Sequence, residues 1–322
     1  METANKIKKN KLLTNARGEL SSFIMLVILW IIFAIGSPYF LRFRNIMNIG
    51  SYMSIMGTMA AGLTVAMLLA GLDVSQYSLA ALSGMILGML YEHGVPAGLI
   101  LLIVICVGVA GGSFNAFIIT VMNVNPIICT MGTSFIFRGI AYLLTNGRYI
   151  RLKNDLFYFI GNGKIAGVPF CLLIMVLTYF VIWYILKYTV YGRSVFAVGG
   201  NMQVAILAGI NVKKIRFISH ILAGITASMG GIITVCQASS CMASQGYGND
   251  MNGISAVILG GISMAGGRGK IFGTLIGVAI LSTLVNGMTL LNVQSYWQQV
   301  VQGLVLVCAV FIDSIRTART GK

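Results

Sequence analysis

Apolar runs dominate this chain and leave it few ways to fold. They fall at about 20–36, 46–69, 76–91, 97–121, 126–145, 169–187, 217–238, 251–265, 271–291 and 296–312. A helix rises about 1.5 Å per residue, so roughly 20 apolar residues cross the hydrocarbon core of a bilayer. Charged residues make up only 9% of the 322, against roughly 25% in a soluble domain. That is too little polar surface to dress a water-facing globule. The expectation is an all-α polytopic membrane protein of about ten transmembrane helices. The runs 76–91 and 251–265 are short for a bilayer, which points to broken helices lining a pathway.

The net charge of +15 raises the question of nucleic acid. The basic residues answer it, because they sit in short segments between apolar runs and form no continuous patch with an aromatic platform. They read as topology signals instead. Lys and Arg crowd 6–17, 187–216, 268–270 and 316–322, and are sparser in 42–44 and 148–164. This bias predicts both termini in the cytoplasm and an even number of spans. The layout is then a cytoplasmic segment 1–19, a transmembrane domain 20–313 with a cytoplasmic loop 188–216, and a cytoplasmic tail 314–322. A cleavable signal is the rival reading of the N-terminus. Leu20–Gly36 is long for a signal core and ends in Ser37-Pro38-Tyr39 with no A-x-A site, so it reads as an uncleaved first span. Small residues spaced for close helix packing occur at Gly84/Gly88, Gly108/Gly112 and Gly273/Gly277.

The stretch "GGNMQVAILAGINVKK" (199–214) interrupts this greasy pattern. Asn201 is a good N-cap, Met202–Ala208 favours about two helical turns, and Gly209 suits the left-handed position that ends them. Such a helix is too short to span a bilayer and too apolar to sit bare in water. A partner protein, the chain's own bundle and the lipid surface are the three ways to cover it. Lipid-surface helices usually carry Lys and Arg on their polar face, and 202–208 holds neither.

Several ordered motifs carry a family resemblance over nearly the whole chain after residue 20. "YGRSVFAVGGNMQVAILAGINVKKIRF" (191–217), "AGLDVSQYSLAALSG" (70–84), "NPIICTMGTSFIFRGIAYLLTNG" (125–147), "ILGGISMAGGRGKIFGTLIG" (258–277) and "NGMTLLNVQSYWQQVVQGLVLVCAVFID" (286–313) resemble segments of monosaccharide (ribose-type) ABC importer permeases. The resemblance implies alternating access by a homodimer in the bacterial plasma (inner) membrane, with the substrate path at the dimer interface. It implies an ABC ATPase subunit that binds ATP and Mg, an extracytoplasmic sugar-binding protein that delivers the ligand, and no cofactor on this chain itself. It makes 201–212 a coupling helix, with Gly200, Asn201, Met202, Ala205, Ala208, Gly209, Ile210 and Lys213 as the ATPase-coupling residues. Two features depart from the family pattern. No acidic residue stands early in the coupling helix, and Gln76-Tyr77 replaces small residues after Asp73-Val74-Ser75, where it would narrow or re-gate the pathway.

Beside the resemblance stand the polar residues within or near the runs. Asp73 reads either as a cap for the following helix or as part of a gate. Arg138, an intramembrane charge, reads either as held by a structural partner or a backbone carbonyl, or as lying in the pathway. Ser75 and Thr133 join them as pathway candidates. Asn115, Asn286 and Gln298 either meet sugar hydroxyls in transit or join helices to one another. In "GGISMAGGRGK" the Lys is followed by Ile271, so this is no phosphate loop. Gly260, Gly261, Gly266, Gly267, Gly269 and Gly273 read as helix-break and packing positions.

His93 and His220 lack Cys or carboxylate neighbours at ligand spacing, so no metal site is expected, and no Ser–His–Asp set can be argued. The six cysteines (106, 129, 171, 236, 241, 308) read as small buried thiols, with a Cys236–Cys241 bridge as the alternative. An ion-driven carrier would want midplane carboxylates, and only Asp73 and Asp313 lie near the spans. A membrane enzyme would want an acid–base or metal cluster. Permeases for nucleosides or branched-chain amino acids are alternatives within the ABC class.

Overall fold

The structure is a computed structural model that describes residues 20–319. The expected cytoplasmic segment 1–19 and the last three residues of the expected tail lie outside the described residues. The bundle begins with α1 (Leu20–Gly36), α2 (Phe43–Leu68), α3 (Gln76–Glu92), α4 (Ala97–Thr120) and α5 (Pro126–Leu143). A small lobe follows, with strand β1 (Ile150–Arg151), helix α6 (Asp155–Asn162) and strands β2 (Lys164–Ile165) and β3 (Val168–Pro169). Then come α7 (Phe170–Tyr188), α8 (Val190–Gly200), α9 (Met202–Leu207) and α10 (Val212–Ala238). Strand β4 (Ser240–Cys241) and helices α11 (Asp250–Leu259), α12 (Ile271–Leu290) and α13 (Ser295–Arg319) complete the fold.

The protein is all-α apart from two-residue ladders pairing β1 with β4 and β2 with β3. Among the described residues six helices, α2, α4, α5, α7, α10 and α12, are long and apolar enough to cross a membrane by length and composition. The other four expected spans are shorter as folded. α1 and the apolar part of α13 (Ser295–Phe311) fall short of that length, α3 has 17 residues and α11 only 10. The two shortest runs foreseen in the sequence are thus helices that start or stop inside the protein. α3 begins only after 69–75 has run without helix, and α11 stops where Gly261 turns to φ 85°.

Local chemistry explains the helix ends. Asn125 accepts from Ile127 N–H while Pro126 opens α5, where its missing N–H costs nothing. Asn154 accepts from Leu156 and Phe157 N–H to start α6. Asn211 accepts from Lys214 N–H at the head of α10. Ser239 takes left-handed φ 51° after its end.

α10 is the central post. Its 27 residues extend about 40 Å, and it packs along α4, α2 and α3. Its α4 contact is made backbone to backbone. A methyl group at Gly108 would lie 2.5 Å from the Gly224 carbonyl oxygen, and one at Gly112 would strike the His220 carbonyl. Lipid gives helices no hydrophobic reward for association, so this close approach supplies the packing that holds them. Hydroxyl and amide bonds add to it. Thr64 Oγ1 lies 2.8 Å from Thr274 Oγ1, joining α2 to α12, and Trp30 Nε1 donates to Thr283 Oγ1 at 3.2 Å, joining α1 to α12. All six cysteines are free. Burial pushes the Cys241 thiol up to about 12, so it stays neutral and unreactive at neutral pH.

The α4–α10 contact yields a prediction. Gly108→Val should cost about 1–3 kcal/mol by forcing the two backbones apart. Gly98→Ala on the same helix, with nothing within 4 Å, should be neutral or slightly stabilising. Thermal unfolding of both variants in detergent measures the difference.

Candidate functional site

Two features at different levels of the bundle carry the functional geometry. The first is the knob formed by α9. Asn201 Oδ1 accepts from Gln203 and Val204 N–H at 3.0 and 3.1 Å. The helix ends in a Schellman arrangement, with Ala208 as C-cap and Gly209 at φ 78°. Gly209 N–H donates to Ile206 O at 2.9 Å and Ile210 N–H to Ala205 O at 3.0 Å. One face of the knob is seated in the bundle: Ala205 is buried within the main core, and Ile210 and Val212 pack against that core. The other face is bare. Leu207 is 88% exposed and Val204 59%, with Met202, Ala208 and Lys213 also exposed. Own-bundle packing therefore covers the Ala205 side of the helix and leaves its other five residues exposed, four of them apolar.

Gly199, just ahead of Gly200 and the knob, touches the glycine loop 260–270 and the end of α2. Gly267 N–H donates to the Leu68 carbonyl at 2.8 Å, and a side chain at Gly199 or Gly267 would strike the other's backbone. Gly266, Gly267 and Gly269 all have positive φ, which lets the loop fold tightly here. Gly260 and Gly273 lie backbone to backbone between α11 and α12.

The second feature is a cavity of about 210 Å³ between α2, α3, α10, α12, α13 and the segment 245–252. Its polar lining is Tyr52, Tyr77, Thr234, Gln245, Asn249, Asn252, Ser282 and Gln302. Its apolar lining includes Ile55, Met56, Met59, Ala80, Ala81, Leu281 and Val285. None of its lining residues is ionisable at neutral pH. Of the residues singled out as departures from the family pattern, Tyr77 lies on this wall.

The other pathway candidates lie elsewhere. Asp73, Ser75 and Asn115 form a buried chain between the unwound 69–75 segment and α4. Asp73 Oδ1 accepts from Ser75 N–H at 2.9 Å and Ser75 Oγ–H at 2.6 Å, and Asn115 Nδ2 donates to Ser75 Oγ at 2.8 Å. His220 comes within 3.9 Å of Asp73 through Nδ1, too far for a hydrogen bond. The chain thus brings a Ser, an Asp and a His together, which sequence spacing hid. The connectivity is not that of a nucleophilic triad, because the hydroxyl donates to the carboxylate and has no bond to the imidazole. Thr133 Oγ1 donates to its own helix at Thr130 O. Asn286 and Asn45 exchange amide bonds at 3.0 Å in both directions, fastening α12 to α2. Gln298 donates to Val293 O at 2.9 Å and Thr289 Oγ1 at 3.3 Å, closing the α12–α13 turn. These three amides join backbone and helices and do not line the cavity.

Arg138 takes the structural one of its two expected roles, held by backbone carbonyls. Its Nη1 donates to Ala243 O and Gln245 O, both at 2.7 Å, and its guanidinium carbon lies 5.9 Å from the centre of the Tyr247 ring. One buried cation on α5 thereby holds the loop that supplies Gln245, Gly246 and Asn249 to the cavity wall. The polar wall itself escaped sequence reasoning because its members are spread from Tyr52 to Gln302 as single polar residues in otherwise ordinary stretches. The one local signal was Tyr77 in place of a small residue.

The geometry defines a class first: a helical membrane bundle with a neutral cavity, a half-covered apolar knob and, among the described residues, no group of three or more potential metal ligands. The chain belongs to the family described as branched-chain amino acid transport system / permease component, whose model matches residues 45–310. It is 38% identical over 300 residues to the ribose import permease protein of Escherichia coli K12, covering 92% of this chain and 94% of that one. The ribose import permease protein of Bacillus subtilis 168 is 36% identical over 302 residues, covering 93% and 94%. The L-arabinose transport system permease protein of Escherichia coli K12 is 32% identical over 298 residues, covering 90% and 88%. No solved structure matches.

Arg138→Gln should leave a carbonyl of the 242–249 loop without its donor, at a cost of about 1–3 kcal/mol. Limited proteolysis in detergent should then cut within 242–249 faster than in the parent protein.

Proposed function

We propose that this chain is the membrane-spanning subunit of an ATP-driven importer for a monosaccharide. The observation that carries the reading is the knob: a six-residue helix fixed on one side by Ala205 and bare on the other at Val204 and Leu207. Bare apolar surface of this kind marks a protein contact, and an ABC ATPase subunit is the partner proposed for it. ATP and Mg belong to that subunit, and ATP binding draws the ATPase domains together. The movement enters through α9 and passes by backbone contact at Gly199 and Gly267 to α2 and to the α11–α12 loop.

The chain threads the inner membrane ten times in this reading, with α1, α3, α11 and α13 as short spans and both termini in the cytoplasm. The concentration of Lys and Arg in 187–216 and 268–270 supports the knob's placement on that side. Two copies form a homodimer, and an extracytoplasmic sugar-binding protein delivers the solute. The relatives named for ribose and arabinose favour a sugar, and so does the cavity. A zwitterionic amino acid would have to shed water from two charges against a wall that offers no counter-charge.

Reconstitution with the ATPase and binding-protein subunits should give ATP-dependent uptake of D-ribose or a related monosaccharide into proteoliposomes. Leu207→Asp should insert normally yet weaken co-purification of the ATPase on the order of tenfold or more, as for a residue central to an interface. Ala205→Asp is the poorer probe, since Ala205 faces the bundle and the change would unseat the knob itself. Full ATPase capture and full uptake by Leu207→Asp would remove the basis for a docking role.

A further inference from the structure

We propose that His220 is a positioning residue of the transport cycle. Its imidazole is one half of a latch whose other half is the Asp73 carboxylate, open in this structure and closed in another state of the importer. The latch presupposes the importer reading and adds to it the residue that holds the unwound 69–75 segment in one of two positions.

The pair is unfinished on both sides. His220 Nδ1 is buried and has no hydrogen-bond partner. Asp73 is buried as well, and its Oδ1 is committed to the Ser75 N–H and hydroxyl, while Oδ2 lies 3.9 Å from the imidazole nitrogen. A hydrogen bond needs about 2.7–3.2 Å, and a bridging water of ordinary bond lengths would hold the two atoms about 4.5 Å apart. The spacing suits neither, and an approach of about 1 Å turns it into a direct bond. Nδ1–H can donate whether the ring is neutral or protonated, so closing requires no change of charge. A buried carboxylate without a partner and an orphaned imidazole nitrogen are both costly. Among the described residues no Lys or Arg lies within ion-pair distance of Asp73, which leaves His220 as the side chain placed to answer it.

The two halves stand on parts of unlike rigidity. His220 belongs to α10, and its own carbonyl packs so closely on Gly112 of α4 that a methyl group there would strike it. Its imidazole stands against the unwound segment at Gly71, where a methyl group would lie 3.4 Å from Nε2. Asp73 belongs to that segment, which has no helical ladder of its own and holds Ala70 at φ 54°, a left-handed conformation uncommon outside Gly, Asn and Asp. Strained backbone of this kind gathers in switch regions. The segment's two ends answer to different neighbours. At the first, Leu68 O accepts from Gly267 N–H and Gly266 packs on Ala70, which ties it to the α11–α12 loop and, through Gly199, to the end of α8. At the second, Val74 N–H donates to Thr130 Oγ1 of α5 at 3.2 Å, the long limit of an ordinary bond. A displacement arriving at Gly266 and Gly267 therefore enters the chain only a few residues before Asp73. A displacement of about 1 Å there makes or breaks the bond to His220.

The test uses the full complex with its ATPase and binding protein in proteoliposomes. The chain has two histidines, so His93→Gln, at an exposed position, leaves His220 as the one imidazole of this subunit. With isotope-labelled histidine in this subunit alone, solid-state nitrogen NMR should show a hydrogen-bonded Nδ1 in one of two states, nucleotide-free or trapped with ATP and vanadate, and an unbonded Nδ1 in the other. His220→Asn keeps a donor at the Nδ1 position, His220→Gln moves it to that of Nε2, and His220→Leu has none. Uptake of D-ribose or a related monosaccharide should fall several-fold with His220→Gln and His220→Leu and recover with His220→Asn, while the ATPase subunits co-purify with all three. Asp73→Asn combined with His220→Leu should be no slower than the slower of the two alone, as for residues that act as one unit. An Nδ1 resonance unchanged between the two nucleotide states overturns the latch. Equal losses with His220→Asn and His220→Leu, or losses that multiply in the double variant, overturn it too. Absence of ATP-driven sugar uptake by the parent complex removes the importer reading and the latch with it. Full uptake by the parent with an unchanging Nδ1 resonance removes the latch alone.

Discussion

The hydrogen bond from Gly267 N–H to the Leu68 carbonyl joins the parts of this molecule that are not continuous helix. Within a bilayer there is no water to satisfy free backbone groups, so irregular chain survives only where protein covers it. The end of α2 and the loop 260–270 meet at this bond, where Gly266 also packs against Ala70. Gly199 closes the same junction from the α8 side, with its Cα too near Gly267 for any side chain. The end of α8, the end of α2 and the α11–α12 connection thus share one backbone contact. No flexible side chain lies between them.

Around this junction the bundle divides its polar residues by task. Asn45 with Asn286, Thr64 with Thr274 and Trp30 with Thr283 fasten helices to one another. The chain Asp73–Ser75–Asn115 secures the break between α2 and α3 against α4. Tyr77, Asn252, Ser282 and Gln302 stand around a cavity, and among the described residues the buried Ser282 hydroxyl has no hydrogen-bond partner. Arg138 stands between the last two tasks: it is structural in its bonds, yet what it holds is the cavity wall.

Much of this was legible in the sequence. Run lengths marked the helices, and Asn201 and Gly209 announced the start and stop of α9 through capping chemistry that is entirely local. Glycines four apart foretold close packing at Gly108 and Gly112. What stayed hidden depended on distant residues meeting. No spacing rule links Asp73 to His220, or Tyr52 to Ser282 and Gln302. The polar residues that looked most conspicuous, Asn115, Asn286 and Gln298, stood out because amides are costly in lipid, and the protein had already answered that cost with internal partners. Ala205 looked like part of an outward surface because helix period alone does not say which face of a two-turn helix turns inward.

The uncharged lining of the cavity has an electrical consequence. A neutral solute moving past neutral walls carries no net charge across the bilayer, whereas each elementary charge that crosses 100 mV exchanges about 2.3 kcal/mol with the field. If the route of the proposed importer ran along such walls, membrane potential would neither pull the cargo inward nor hold it back. All directional work would then have to arrive mechanically, and de-energised cells would load as well as energised ones for as long as nucleotide lasts.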